Sequence, residues 1–337
     1  MTRYIIRRLI AMPFLLLGII TIAFFISHNT RGDPLISIIG ERQMENPDVV
    51  AAAKARWGLD KSLPEQYAIY VGNLTTGDFG TSLRTKRPVA QDLLDRLPAT
   101  LELVIAAMLA GSLTGIVLGV IAARFRDSGI DHLARLWALI GSSTPVFWSG
   151  LILLYVFSVA LGWLPGPGRL NARTLPPETI TGFLTIDSLL SGNLQLFRES
   201  LYHLILPALV LGWTVMGIVS RLVRVSMLDV LSQDYIVAAR ARGARELRVL
   251  FNHALRNAMI PTLTIIGFTF AYLITGAVLT ETIFSWPGIG SYAVDAARNL
   301  DYPAIMGVTI VGGMAFLLSN LLTDIAYAFA DPRIRLR

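Results

Sequence analysis

Apolar residues gather in six long runs separated by polar gaps, and none of the runs alternates with a period of two. They cover about 9–27, 99–123, 136–161, 204–220, 260–280 and 304–329. The first run holds no charged residue and, at ~1.5 Å per residue, spans roughly 28 Å, close to the thickness of a bilayer's hydrocarbon core. A backbone in lipid must satisfy its polar groups internally, so the runs predict helices, whereas a barrel would need short alternating strands. The pattern predicts an all-α polytopic membrane protein with six transmembrane helices. Arg3, Arg7 and Arg8 precede the first run, as in a signal peptide. The following SHNTRGDP offers no small-x-small cleavage site, and the run exceeds a usual signal core, which predicts an uncleaved first helix.

The polar gaps carry unequal charge. Arg3, Arg7 and Arg8, then Arg124, Arg126 and Arg135, then Arg221 and Arg224 with five further arginines, then Arg333, Arg335 and Arg337 all fall on one side of six spans. The opposite gaps are balanced: residues 29–97 hold nine basic and nine acidic side chains. The positive-inside rule makes the arginine-rich side cytoplasmic, with both termini there. This placement accounts for the net charge of +6 without a nucleic-acid partner. At 54% hydrophobic and 15% charged the chain is too apolar for an ordinary soluble protein, and without cysteine it has no disulfide, thiolate ligand or cysteine nucleophile.

The expected organisation is an N-terminal segment with the first helix over 1–28, an external domain over 29–97, a five-helix core over 98–329 with a cytoplasmic loop at 222–258, and a tail at 330–337. The external segment has turn signals at Gly32-Asp33-Pro34, Asn46-Pro47, Gly77-Asp78 and Arg87-Pro88. Trp57, Leu59, Tyr67, Tyr70 and Phe79 supply material for a modest core of its own. Further on, FSWPGIG at 284–290 reads either as a re-entrant turn or as an aromatic anchor at the membrane surface.

Enzymatic chemistry is missing. No G-x-x-x-x-G-K-[ST] loop is present to hold nucleotide phosphates, no H-E-x-x-H occurs, and His28, His132, His203 and His253 are scattered. No catalytic or metal-ligating set is expected. Glu102, Glu281 and Asp324 lie near the ends of spans, not at the midplane where a proton-driven pump needs them; a structural pair of Asp324 with a cytoplasmic arginine is one expected use. The third span opens on GSSTPVFW, where Ser142, Ser143, Thr144 and Pro145 loosen the helix as in broken, pathway-lining segments; an ordinary proline kink explains it equally well. Trp213, Thr214 and Met216 in the fourth span, and Thr269, Tyr272 and Thr275 in the fifth, are further candidates for a pathway.

The gap from Tyr235 to Pro261 reads YIVAARARGARELRVLFNHALRNAMIP. It carries Arg240, Arg242, Arg245, Arg248 and Arg256 against one acid, Glu246. Helix formers from Asp229 to Arg242, with Ser226 or Ser232 as cap, predict one helix, and Gly243 suits its left-handed end. A second helix from Arg245 to about Asn257 places Leu247, Leu250, Phe251, Ala254 and Leu255 on one face. Ala238, Ala239 and Gly243 permit close approach of another surface. A basic helix-turn-helix of this kind docks a cytoplasmic protein or lies on anionic lipid.

These residues carry a resemblance. Ala238, Ala239 and Gly243 match the Ala-Ala-x-x-x-Gly of the cytoplasmic loop of ATP-binding-cassette (ABC) importer permeases. The chain is most similar to the dipeptide and oligopeptide family, first of its two permease types. RRLIAMPFLLLGIITIAFFI with Gly32-Asp33-Pro34, WGLDKSLPEQYAIYVGNLTTGDFGTSL, RLPATLEL, HLILPALVLG, ETIFSWPGIG and DPRIR resemble that family in order along nearly the whole chain. Val237 departs from the pattern, standing where the loop's glutamate or the family's arginine is expected.

The resemblance implies a type I ABC importer-like permease fold with a small external domain after the first helix, in the bacterial cytoplasmic (inner) membrane. It implies a homologous second permease subunit, two cytoplasmic ATPases that hold ATP and magnesium, and a periplasmic or lipid-anchored solute-binding protein. Ala238, Ala239, Gly243, Arg245, Arg248 and Phe251 would couple to an ATPase. Di- or oligopeptides are the expected cargo; oligosaccharides, opines, glutathione or nickel are the alternatives within the same machine. An ion-coupled secondary transporter would instead show internal repeats and midplane ion ligands, and a membrane scaffold would use the loop for anchoring alone.

Overall fold

The structure, a computed structural model, describes residues 2–29, 35, 39–57 and 60–330. The Gly32-Asp33-Pro34 turn, Leu59 and the DPRIR tail with its arginines lie outside the described residues, as does the side chain of Trp57. Among the described residues the chain is helical, with a single antiparallel bridge between Thr81 and Pro88.

Helix α1 (Thr2–Asn29) is followed by the short α2 (Pro47–Trp57) and α3 (Leu63–Thr75), then by α4 (Val89–Arg124). Helices α5 (Gly129–Ser143) and α6 (Val146–Leu154) meet at a bend of 104°, and α6 runs on into a π-helical turn, Tyr155–Ala160. Next come α7 (Leu184–Leu190), α8 (Leu194–Leu231) and α9 (Asp234–Ala241). The single turn α10 (Glu246–Arg248) passes through a π-helical stretch, Val249–Leu255, into α11 (Arg256–Gly276). Helices α12 (Val278–Ile283), α13 (Ile289–Arg298) and α14 (Tyr302–Ala330) complete the chain. Among the described residues five helices are long and apolar enough to cross a membrane, and the bent α5–α6 pair, counted as one broken span, makes a sixth.

The bundle is built on the α4–α8 contact. Gly111, Gly115 and Gly119 recur every four residues along one stripe of α4 and meet Val215, Val219 and Val223 of α8. A Cβ at Gly119 would sit 2.7 Å from that of Val223, so only glycine permits this approach. In lipid, where no hydrophobic force draws helices together, such small-residue stripes let backbones pack by dispersion. Val104, Ala107 and Met227 close the same core. The bend between α5 and α6 has a local cause. Pro145 has no N–H to continue the helix, and Thr144 before it is extended, its hydroxyl turned back to the Ile140 carbonyl at 2.7 Å.

Two boundaries differ from the hydrophobic pattern. Helix α4 begins at Val89, inside the expected external domain, because its first two turns are amphipathic and pack on protein. Val89 and Leu93 join Tyr292 of α13 and Ala304 of α14, and the buried Asp92 accepts from Thr85 at 2.5 Å and Tyr292 at 3.2 Å. Nor do the described aromatics of the external segment pack by themselves. Tyr67, Tyr70 and Phe79 pack on Ile20 and Phe24 of α1 and Ile310 of α14, and the Tyr67 and Thr21 hydroxyls bond at 2.7 Å. The segment lies against the two outer helices, which supply the apolar surface it lacks.

Candidate functional site

Helix α8 outruns its apolar run by eleven residues before it ends at Leu231. Ser232 is the C-cap of α8, and Gln233, with no side-chain cap bond, starts α9. Neither Ser226 nor Ser232 caps the coupling helix, because Asp229–Leu231 continue the transmembrane helix. Helix α9 buries one side chain, Ile236, among Val223, Met227, Val249 and Leu250. Its end is a Schellman turn: Gly243 has φ +78°, its N–H bonds the Arg240 carbonyl at 2.9 Å, and the Ala244 N–H bonds the Ala239 carbonyl at 3.2 Å. Across this turn Arg240 donates to Glu246 at 2.9 Å, and Arg124 from the end of α4 approaches the same carboxylate at 3.7 Å. The Asn257 side chain donates to the Tyr235 hydroxyl at 2.7 Å.

The second helix of the loop does not stop at Asn257; it continues to Gly276 as one span. Its π-helical turn also changes the expected face. Leu250, Ala254 and Ala258 are buried with Val249, whereas Leu247 and Phe251 are 71% and 47% exposed. An α-helical wheel cannot foresee this, since a π turn inserts residues and rotates the stripe. The result is one outward surface. Leu247, Phe251 and the 58%-exposed Val237 stand out as apolar knobs, with Ala238, Gly243, Arg245 and Arg248 exposed beside them. Arg242, Arg245, Arg248 and Arg256 make no ion pair among the described residues. The six expected coupling residues therefore share one elbow, with Ala239 the half-buried member.

The expected pathway residues are more dispersed. Trp213 and Met216 line a cavity of about 670 Å³ with Trp137, Leu153 and Phe157, between α4, α8 and the bent pair. Trp137 and Trp213 stack with ring centres 4.8 Å apart. Ser142 borders a separate cavity near Gly217, and Ser143 and Thr144 line a third beside Trp148. Thr214 is half-buried, Thr269 is buried in α11 and Tyr272 is exposed; the Thr275 side chain lies outside the described residues.

The end of the bundle remote from the elbow is closed by contacts that sequence patterning did not reveal. Trp286 is 1% exposed and donates to the Ala99 carbonyl at 2.7 Å, so FSWPGIG is a buried turn and not a surface anchor. Glu281, fully buried, accepts from the Thr100 hydroxyl at 2.6 Å and the Ser291 N–H at 2.9 Å; burial pushes its carboxyl above the usual 4.5. Glu102 binds Arg169 at 2.5 Å and Thr185 at 2.7 Å, pinning the second external segment to α4. Asp324 pairs with Arg8, a structural use as expected. On the opposite face Arg224 forks onto the buried Asp131 at 2.7 and 2.6 Å.

Residues 115–336 match the family described as binding-protein-dependent transport system inner membrane component, and residues 1–104 match its N-terminal companion. The chain belongs to this family of ABC importer permeases. The permease is 45% identical over 335 residues to the di/tripeptide transport system permease protein of Pseudomonas aeruginosa, covering 99% of both chains. It is 45% identical over 317 residues to a probable D,D-dipeptide transport system permease protein of Escherichia coli, covering 94% and 93%. It is 41% identical over 335 residues to a dipeptide transport system permease protein of Alkalihalophilus pseudofirmus, covering 99% and 100%. Among solved structures, a chain of an amino acid ABC transporter aligns with 72% of the permease and 94% of its own length at 14% identity and a TM-score of 0.48, a distant likeness that carries no weight beside these relatives. The permease is a multi-pass inner-membrane protein and a transport subunit, with the all-helical six-span fold its apolar runs predicted.

Proposed function

We propose that the permease takes up di- or oligopeptides as one subunit of an ATP-driven importer. The observation that carries this reading is identity at the 40–45% level across almost the whole chain to permeases named for dipeptides. The partners are a homologous second permease, a solute-binding protein on the outer side and two ATPases that supply ATP and magnesium. The arginine-rich face with both termini is cytoplasmic, as the charge asymmetry supports.

The elbow at Gly243 seats in an ATPase. Its exposed apolar knobs beside the unpaired Arg245 and Arg248 have the make-up of an interface centre with a charged rim. Movement of the ATPases would act on α8 and α11 together, since Ile236 is rooted in their shared core. The permease itself makes no bonds; it offers two conformations whose contacts ATP binding weights differently.

The test is recovery of ATPase subunits with affinity-tagged permease from membranes. Wild type should retain them, and the Leu247→Asp/Phe251→Asp double variant should retain at least tenfold less at an unchanged permease level. Equal recovery would remove the elbow as the docking surface.

A further inference from the structure

Between α4, α5 and α8, on the membrane face that carries the elbow, lies a cavity of about 490 Å³. Ser142 sits at one end, but the rest of its lining is unlike that of a solute path. Basic residues His132, Arg135 and Arg221 line it together with the apolar Leu136, Leu139 and Val225.

The cavity's arginines are not equivalent. Arg224 is committed: it forks onto Asp131, whose oxygens also accept the Asp127 N–H at 3.0 Å. Arg135 and Arg221 are exposed and form no ion pair among the described residues. Their depth is fixed by sequence on two separate helices. Arg135 is the last residue before the apolar run of α5, and Arg221 the first after that of α8. Both guanidinium groups therefore stand at the edge of the hydrocarbon layer. One residue deeper, Leu136 is 53% exposed, and one turn deeper Leu139 is 56% exposed.

We propose that this cavity binds an anionic phospholipid, with its phosphodiester between Arg135 and Arg221 and an acyl chain along Leu136 and Leu139. The two-part lining selects this occupant. A free anion has no use for the apolar residues, and an acidic protein surface brings no acyl chain to cover the exposed Leu136 and Leu139. A phospholipid meets both halves at once, and basic pockets between helices are known sites for anionic headgroups. The bound lipid would brace α5 against α8 beside the Asp131–Arg224 bridge. The proposal rests on the depth and freedom of the two arginines and is independent of the peptide reading.

The experiment is native mass spectrometry of the assembled transporter taken from bilayers of equal phosphatidylglycerol and phosphatidylethanolamine. After delipidation, wild type should keep phosphatidylglycerol in preference to phosphatidylethanolamine. At ~1 kcal/mol per basic residue near a membrane surface, Arg135→Gln with Arg221→Gln should weaken retention about 30-fold, and the Arg135→Lys/Arg221→Lys pair should keep most of it. An absence of headgroup preference in wild type overturns the proposal and needs no variant to fold. Undiminished phosphatidylglycerol on the glutamine double variant also overturns it. Displacement of the lipid by millimolar inorganic phosphate would assign the cavity to a free anion instead.

Discussion

Arg240 and Glu246 meet at 2.9 Å across the turn at Gly243, and Glu246 faces Arg124 of α4 as well. The pair closes the elbow from outside, while Ile236 roots it in the α8–α11 core from inside. An elbow held at two points moves as a unit with the bundle. Each of its parts then makes a different demand on mutation.

Gly243 stands at φ +78°, which proline, fixed near −65°, cannot adopt. Gly243→Pro should break the Schellman turn and separate hydrolysis from transport, with ATP turnover retained and uptake reduced tenfold or more. Gly243→Ala carries only the left-handed strain of about 1 kcal/mol and should have a milder effect. Paired assays of phosphate release and solute uptake check both.

Asp131 is fully buried, and Arg224 is its partner. Arg224→Gln should cost about 3 kcal/mol, because the carboxylate is left without its counter-charge. Adding Asp131→Asn should recover part of that loss. Thermal melting of the purified permease in detergent gives the order: wild type, then the double variant, then Arg224→Gln.

Glu281 gives a pH signature. Burial holds its carboxyl above the ordinary value of 4.5, against the hydrogen bonds from Thr100 and the Ser291 and Gly290 N–H groups that favour the charge. With the folded-state value above the unfolded one, ionisation costs stability. That cost is absent below the unfolded value, develops between the two, and is complete above the folded one. Glu281→Gln removes the ionisation, so its stability relative to wild type should rise as pH increases through and above the ordinary carboxylate range. A difference that stays flat or falls over that range contradicts the assignment.

Arg169 ties the second external segment to Glu102, which is 5% exposed. Arg169→Met should loosen the segment between 162 and 193, leaving Glu102 its Thr185 bonds but no counter-charge. Limited proteolysis from the outer face should then cut within this stretch several times faster than in wild type.

The six spans and the elbow were legible because period and charge are local properties. Gly243 announces its left-handed turn in sequence, and the Ala238-Ala239 pair stands beside it. The face of the second coupling helix was not legible, because the π turn at Val249–Leu255 rotates Leu247 and Phe251 outward against an α-helical reading. Nor were the long-range contacts. Thr100 and Glu281 lie 181 residues apart and Asp131 and Arg224 lie 93 apart, and no spacing rule joins residues that only packing brings together. The start of α4 was hidden for a related reason: its first turns bury against α13 and α14, where an amphipathic helix gives no membrane signal.

Peptide transport by this chain requires an ATP-driven assembly worked through its elbow. Labelled dipeptide uptake into proteoliposomes tests it most directly, comparing the complete assembly with its binding protein against the permease alone under a proton or sodium gradient. Uptake by the assembly should require ATP and be lost in Gly243→Pro, and the permease alone should show none. Gradient-driven uptake by the permease alone, without ATPase subunits, would contradict it.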